Sequence, residues 1–228
     1  SPQEPIGSSH QKESLPSFLH PHEIVDHFID EALASQGFSS VALCDDRTFL
    51  RRIYLDLIGR PPSLEELRSF VFDGRSGKRG VVAESLLHTP DYARRLREVF
   101  DSVLMEREGP KAERQRADHQ WFHYLETVFR ENRPWDQVVR EMISARPETD
   151  EAQGALWFLY ARKDAHQAMA EAVAPVLFGT QIKCAQCHDH PLAREIKQGH
   201  YWGLVAAFNR SKNIKTSKGI GVSESAIG

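Results

Sequence analysis

Apolar residues recur along most of this chain at intervals of three and four, the spacing that places them on one face of an α-helix. The pattern begins after Pro21 and continues to about residue 210. No stretch alternates apolar and polar residues with the period of two that predicts a strand, and no internal repeat is visible. Glycine and proline, which interrupt helices, are spaced so that the helices between them would be about ten to fifteen residues long. The pattern therefore predicts an all-α fold in a single multi-helix domain.

Capping residues, Gly and Pro mark where these helices begin and end. Ser63 with Glu66 three residues later is a capping box, and Thr89 before Pro90 is a second helix start. We place a polar loop at 74–80 and an acidic loop at 146–154, and a short strand is the alternative for 156–162. The predicted helices cover residues 21–36, 46–58, 64–71, 81–88, 90–108, 112–130, 134–143, 156–162 and 164–178.

The two ends of the chain lack this periodicity. Residues 1–21 are rich in Ser, Pro, Gln and His, which predicts a flexible leading tail. Residues 211–228 place lysines among Gly and Ser, which predicts a flexible basic tail or linker to a further domain. A docking patch for an acidic redox partner is the alternative for the second tail. The helical domain is therefore expected to span residues 22–210.

Composition excludes several classes of protein. With 228 residues, 40 % of them hydrophobic, the chain can bury a sizeable core. A net charge of −3 and a pI near 6.4 give no signature of a nucleic-acid partner. The longest apolar run, residues 172–179, contains a proline and is too short to span a bilayer. No Gly-rich phosphate loop and no serine nucleophile motif is present.

The clearest chemical signal is Cys184-Ala185-Gln186-Cys187-His188. Two thiols three positions apart, with an imidazole directly after the second, is the arrangement that attaches a c-type haem. Each thiol adds to a vinyl group, and the histidine binds iron. We therefore predict one covalent haem c, held through Cys184 and Cys187, with His188 as the proximal iron ligand. The second ring nitrogen of His188 then needs an acceptor, either the Asp189 carboxylate or a backbone carbonyl near Pro191.

Two other interpretations of the motif stay open. Cys184, Cys187, His188 and His190 together offer four zinc ligands, although zinc sites usually draw their ligands from two separate segments. The cysteines are otherwise a buried pair without a cofactor. Cys44, the third cysteine, has no obvious partner, so we expect a small buried apolar side chain there.

The residues around the motif resemble a known family. Residues 178–192 and the aromatic segment 200–208 look like the planctomycete cytochrome C family, a domain of large secreted planctomycete proteins. Residues 46–62 are similar to the opening motif of that family, and residues 132–141 to its middle motif. The resemblance spans most of residues 22–210 and implies a haem-binding role, without supplying a settled reaction.

The chain departs from the family pattern in two places close to the expected haem. Residues 194–196 read Arg-Glu-Ile where the family usually has an aromatic residue, and His200 stands where it usually has an acid. The pocket around the haem is therefore the part that the resemblance describes least well.

Function depends on the second axial position of the iron. A protein ligand there favours an electron carrier, whereas an open or water-filled position allows small-ligand binding or peroxide chemistry. Met169 and His200 are the leading candidates for this distal ligand, and Tyr201 and Trp202 are expected to pack on or near the porphyrin. Weaker candidates for the distal ligand are Met105, Met142, His119, His123 and His166. His190 is too near His188 to reach the opposite face of the haem, but it could meet a propionate.

We favour electron transfer as the function. The alternative is a haem protein with an open iron site, and the second alternative is a zinc-stapled interaction module without haem. Because haem is normally attached covalently outside the cytoplasmic membrane, we expect a periplasmic or otherwise extracytoplasmic location. The chain starts Ser-Pro-Gln without an apolar leader, which is typical of a mature or excised segment. The expected partner is a redox protein or a neighbouring domain of a longer chain.

Overall fold

The structure is a computed structural model that describes residues 20–106, 108–144, 150–217 and 219–225. Within these residues the chain forms eleven α-helices, one 3₁₀ turn and one two-stranded antiparallel sheet. The helices are α1 (Pro21–Ser35), α2 (Asp46–Ile58), α3 (Leu64–Val71), α4 (Lys78–Leu87), α5 (Pro90–Met105), α6 (Pro110–Asp118), α7 (Trp121–Arg130), α8 (Trp135–Ser144), α9 (Asp150–Tyr160), α10 (His166–Phe178) and α11 (Gln198–Phe208). The 3₁₀ turn (Lys183–Gln186) lies between α10 and α11, and strands β1 (Ser211–Thr216) and β2 (Gly219–Glu224) follow α11.

The chain divides into a unit of residues 1–45 and a unit of residues 46–228. In the first unit, α1 begins with a capping box, in which the backbone N–H of His20 donates to the Glu23 carboxylate at 2.7 Å. This confirms the helix predicted from residue 21. Its apolar residues Val25, Phe28 and Ile29 are exposed, so none of α1 is buried. Residues 1–19 of the predicted leading tail lie outside the described residues.

Helices α2, α3 and α4 build a small core of their own. The predicted capping box at the start of α3 is present, since Ser63 accepts the Glu66 N–H and the Glu66 carboxylate accepts the Ser63 N–H. Arg60 binds the same carboxylate through two nitrogens, which lowers the pKa of Glu66 to about 2. Asp46 at the start of α2 binds Lys78 and Arg79 of α4. The core side chains are Leu50, Tyr54, Ile58, Phe70 and Leu86.

The larger core is formed mainly by α7 to α11. Helices α7 and α9 approach closely at Gly154, where an added Cβ atom would lie 2.5 Å from the Cβ of Tyr124 and 2.6 Å from the carbonyl oxygen of Gln120. Only glycine allows these two backbones so near each other. The largest fully buried side chains of this core are Trp121, Tyr124, Leu125, Met142, Leu156, Phe158, Met169 and Tyr201.

The helix predicted over 112–130 is two helices. The chain breaks between α6 and α7 at Gln120, whose φ of 61° lies in the left-handed region. The break turns Trp121 into the core, where its indole Nε1–H donates to Asp101 at 2.7 Å. Periodicity missed it because the apolar positions of α7 follow the break without a gap, and neither Gly nor Pro marks the turn.

Two of the predicted loops are partly helical. Helix α9 begins at Asp150, within the acidic loop predicted over 146–154, and its helical conformation excludes the strand alternative for 156–162. Residues 145–149 of that loop lie outside the described residues. Helix α4 begins at Lys78, three residues before its predicted start, so the end of the loop predicted over 74–80 is helical as well.

The prediction of a flexible tail from residue 211 is wrong for β1 and β2. The hairpin pairs Ile214 with Gly221, and Ile220 is buried in the larger core. The side-chain amide of Asn213 donates to the Tyr160 carbonyl at 2.7 Å, which attaches the hairpin to the end of α9. The sequence did not predict these strands, because they are rich in serine, glycine and lysine. Their few buried side chains give no long alternating pattern. Residues 218 and 226–228 lie outside the described residues.

The expectation of a helical fold is therefore confirmed in its coarse form: the described chain is mostly helical, with one hairpin added. No helix in the described ranges is both long and apolar enough to cross a membrane.

Gly154→Ala is expected to destabilise the protein by roughly 1–3 kcal/mol, because the new methyl group overpacks the contact between α7 and α9. Gly80→Ala is the matched control, since a Cβ at this helical glycine of α4 meets no atom within 4 Å. That control should leave stability unchanged or raise it by about 0.5 kcal/mol. Urea unfolding of both variants measures the difference, and equal effects would contradict the close approach.

Candidate functional site

The two motif thiols lie at the surface, on a turn whose inward-facing residues pack in the larger core. Cys184 sits within the 3₁₀ turn and Cys187 directly follows it; both are free and exposed. Ala185, between them, is fully buried in the larger core, and Ile182 just before the turn is buried as well. Because a residue of a tight turn that packs inward leaves its neighbours facing outward, the core presents both sulfur atoms to solvent. They are available for covalent attachment of a group outside the fold.

His188 has the hydrogen bond that a metal-binding histidine needs. Its Nδ1 lies 2.7 Å from the backbone carbonyl oxygen of Asp189. A carbonyl only accepts, so Nδ1 carries the proton and the lone pair is on Nε2. The ring is exposed, which leaves Nε2 accessible to a metal. The acceptor is thus the carbonyl of Asp189 and not its carboxylate.

The Asp189 carboxylate has a different role. It accepts the backbone N–H of Gln198 at 3.0 Å, where α11 begins, and lies 3.2 Å from the Lys197 ammonium. The Gln198 bond first and the Lys197 bond second lower the pKa of Asp189. Gln198 also donates from its side chain to the Gln186 carbonyl at 3.1 Å. These contacts attach the motif turn to the start of α11.

His190 is used by the loop that follows the motif. Its Nδ1 accepts the backbone N–H groups of Leu192 and Ala193 at 3.2 and 2.9 Å, and its own backbone N–H donates to Ile196. Among the described residues, no three His, Cys, Asp or Glu side chains are grouped as metal ligands would be. The four candidate zinc ligands therefore do not converge on one point in this structure.

Tyr201 and Trp202, both predicted to lie near a porphyrin, occupy different environments. Tyr201 is fully buried, and its hydroxyl donates to Glu171 of α10 at 2.9 Å. Burial first and Glu171 second raise the pKa of Tyr201 to about 12, with a further contribution from Cys187. Trp202 is 44 % exposed and meets the Tyr201 ring edge-on at 5.1 Å. Tyr201 thus supports the site from the core, whereas Trp202 lies partly at the surface.

The two candidates for a distal ligand also differ. Met169 is fully buried in the same core cluster as Ala185 and Tyr201. His200 is exposed in the first turn of α11, and its Nδ1 accepts the backbone N–H of Lys197 at 3.2 Å. That bond leaves Nε2 of His200 as the remaining ring nitrogen, and it carries the ring proton when the ring is neutral. Both distal ligands stay predictions.

Large apolar side chains are exposed in the segments that flank the motif. Leu177 and Phe178 end α10, and Leu192 follows the motif by four residues; they are 50, 60 and 89 % exposed. Trp202 is half-exposed as well, so large apolar side chains are exposed both before and after the motif in the sequence. Sequence reasoning missed Leu192, whose only signal is an apolar residue within a polar loop.

The chain matches the model of a known protein family. The family model described as PSCyt2, a protein of unknown function (DUF1549), matches residues 24–213. The matched region contains α2 to α11, the motif turn and the start of β1. No curated protein and no solved structure matches the chain.

The buried Tyr201 hydroxyl makes stability depend on alkaline pH. Because the folded pKa of about 12 exceeds the unfolded value of 10, the neutral phenol stabilises the fold fully below pH 10. This contribution is lost as the pH rises through 12. Tyr201→Phe should lose about 1 kcal/mol at neutral pH through the missing hydrogen bond, and its stability should fall less steeply above pH 10. Urea unfolding across the alkaline range measures both effects.

Glu171→Gln provides the control for that measurement. The variant keeps the phenol buried but removes the negative charge, so the pKa of Tyr201 should fall below that of the unchanged protein. Tyrosinate absorbance reports this value. A pKa that does not respond to Glu171→Gln would show that the hydrogen bond is not formed.

Proposed function

The chain belongs to PSCyt2, a planctomycete cytochrome C-related family of unknown function, and we propose that it is a c-type haem-binding domain that acts in electron transfer outside the cytoplasm. One observation carries the proposal: two free, exposed thiols flank the buried Ala185, and the histidine that follows them has its Nδ1 fixed by a backbone carbonyl. This is the donor set that covalent haem attachment requires.

The residues present fit that group. Cys184 and Cys187 would form the two thioether bonds, and His188 would bind iron through Nε2. A bound haem supplies an iron that takes up and releases one electron. The carbonyl of Asp189 holds the His188 ring in one orientation and raises the basicity of the coordinating nitrogen. The exposed apolar side chains Phe178, Leu192 and Trp202 are suited to cover an apolar macrocycle and exclude water from it.

The position of the motif at the surface favours electron transfer. A group anchored at exposed thiols lies close to the protein exterior, where a second redox centre can approach it. We propose that the electron partner is a separate redox protein or a neighbouring domain of a longer chain. Because covalent haem attachment normally takes place outside the cytoplasmic membrane, we propose an extracytoplasmic location as well.

The state of the distal position decides between electron transfer and the alternative function. Met169 is fully buried in the core, so binding iron would require it to leave its packing. His200 is exposed, but its Nδ1 accepts a backbone N–H, so the ring would have to give up that hydrogen bond to present a nitrogen lone pair to iron. Because both candidates would have to rearrange, a second function in which the iron lacks a distal protein ligand stays open. Such an open site would bind small ligands or support peroxide chemistry.

Zinc binding is less favoured than haem attachment as the function of the motif. The Nδ1 atoms of both His188 and His190 are engaged by the backbone, and the four candidate ligands do not converge among the described residues. A zinc-stapled interaction module would need the loop after the motif to rearrange.

Covalent attachment is tested by producing the protein together with haem-attachment machinery. Haem should stay on the polypeptide after denaturation and acid-acetone extraction, because thioether bonds survive both. Cys184→Ser combined with Cys187→Ser should abolish this retention, while Cys44→Ser, the third cysteine, should leave it intact. Extractable haem, or zinc in place of haem in the unchanged protein, would overturn the proposal.

The distal ligand is tested by spectroscopy of the haem-loaded protein. If His200 is the ligand, the ferrous form should be six-coordinate and low-spin and should bind carbon monoxide poorly, since both axial positions are filled. His200→Gln should then give a high-spin spectrum with rapid carbon monoxide binding, whereas Met169→Leu should leave the spectrum unchanged. Rapid carbon monoxide binding by the unchanged protein would favour the open-site function instead.

A further inference from the structure

A cavity of about 590 Å³ lies between α6, the C-terminal end of α9 and the hairpin. None of its lining residues belongs to the Cys184–His188 motif, so it is distinct from the proposed haem site. Its volume is within the range of sites that hold small organic molecules, about 300–1,000 Å³. The described chain thus has a concave feature that the proposed function does not use.

The cavity exists because α6 cannot fill it. This helix is strongly polar, and its one buried residue is Arg116. The Arg116 guanidinium donates to Asp101 at 2.9 Å and to the Met105 carbonyl oxygen at 2.9 Å, both on α5. The short side chain of Ala112 faces the remaining space. The Arg116 head group is therefore bound to α5 and to the residue that follows it.

One wall of the cavity is aromatic. The His119 ring stacks on Trp157 with a centroid distance of 4.4 Å and an angle of 15° between the planes, and Tyr160 lies 5.8 Å from Trp157. Burial lowers the pKa of His119 and so favours the neutral ring, although the nearby Asp118 carboxylate acts in the opposite direction. A flat, uncharged surface of this kind binds planar apolar groups by stacking.

The remaining lining is cationic. Lys111, Lys163 and Lys215 line the cavity, and none of them is ion-paired within the described part of the chain. Glu108 is the one lining carboxylate, and it is already bound to Arg116 at 3.1 Å. The cavity therefore has an excess of positive charge that favours an anion.

Two buried donors at the cavity also have no acceptor. The indole Nε1–H of Trp157 and the Nε–H of Arg116 find no hydrogen-bond partner in the described chain, although both residues line the cavity and are more than nine-tenths buried. A buried donor left unsatisfied costs about 1–3 kcal/mol, so such groups call for an explanation. Both nitrogen atoms have almost no accessible surface, so an oxygen atom of a bound ligand would reach them only if the cavity wall shifts.

We propose that this cavity binds a small planar organic anion, of the class of aromatic carboxylates, with its ring against the aromatic wall and its charge toward the lysines. The neutral stacked rings select a flat body, and the uncompensated lysines select a negative charge. Neither feature depends on haem, so the proposed anion site can be tested independently of the proposed haem-binding function.

The test uses 2-naphthoate as the probe and titration calorimetry on the 228-residue chain. We expect one molecule of 2-naphthoate to bind per chain, and the uncharged 2-naphthamide and the non-planar cyclohexanecarboxylate to bind at least several-fold more weakly. Lys163→Gln combined with Lys215→Gln should weaken binding of 2-naphthoate about tenfold, as expected for two partly exposed charge contacts. Lys212→Gln is the matched control, because this lysine lies on the same strand as Lys215 but outside the cavity lining, and it should not change the affinity.

A second variant tests the location without removing charge. Ala112→Phe places a large ring into the cavity and should abolish binding, while thermal unfolding shows that the variant is folded. The proposal is overturned if 2-naphthamide binds as well as 2-naphthoate, if the double lysine variant binds as tightly as the Lys212→Gln control, or if folded Ala112→Phe retains affinity. Absence of 2-naphthoate binding to the unchanged chain at millimolar concentration overturns it as well.

Discussion

The burial of Ala185 and Ile182 in the larger core is the constraint on which the candidate site depends. These two residues fix the 3₁₀ turn from below, and the thiols on either side of Ala185 are thereby held at the surface. Tyr201 packs in the same core and is held by its hydrogen bond to Glu171. The motif is therefore presented by ordinary hydrophobic packing, which leaves both sulfur atoms free and exposed.

Polar contacts give the residues of the motif and of the loop after it different structural roles. The Asp189 carbonyl orients His188, while the Asp189 carboxylate and the side chain of Gln198 attach the turn to α11. His190 is engaged by two backbone N–H groups and so stabilises the loop. Of the two histidines, only His188 has its Nδ1 proton directed to a carbonyl and its Nε2 lone pair available to a metal. This asymmetry supports an iron ligand at His188 and a structural role for His190.

The same chain places a second set of charges where α5, α6 and α9 end. Arg116 and Arg162 donate to the last carbonyl groups of α5, so buried cations stabilise the negative end of that helix. Burial lowers the pKa of Arg162 to about 10. The cavity that we propose as a binding site lies beside these contacts, and Arg116 is part of its lining.

The sequence alone determined the features that are local. Helical periodicity predicted most of the helices, the capping box at Ser63 and the cap at Thr89 marked two starts, and the spacing of Cys184, Cys187 and His188 identified the candidate chemistry. Tertiary structure decided the rest, because those features depend on contacts between distant residues. The break at Gln120 serves the burial of Trp121, and the glycine at 154 allows α9 to approach α7 closely. The hairpin is held by Tyr160 and Gln153 far upstream. Likewise, two adjacent residues of one helix, Tyr201 and Trp202, differ in burial only because the core lies on one side of α11.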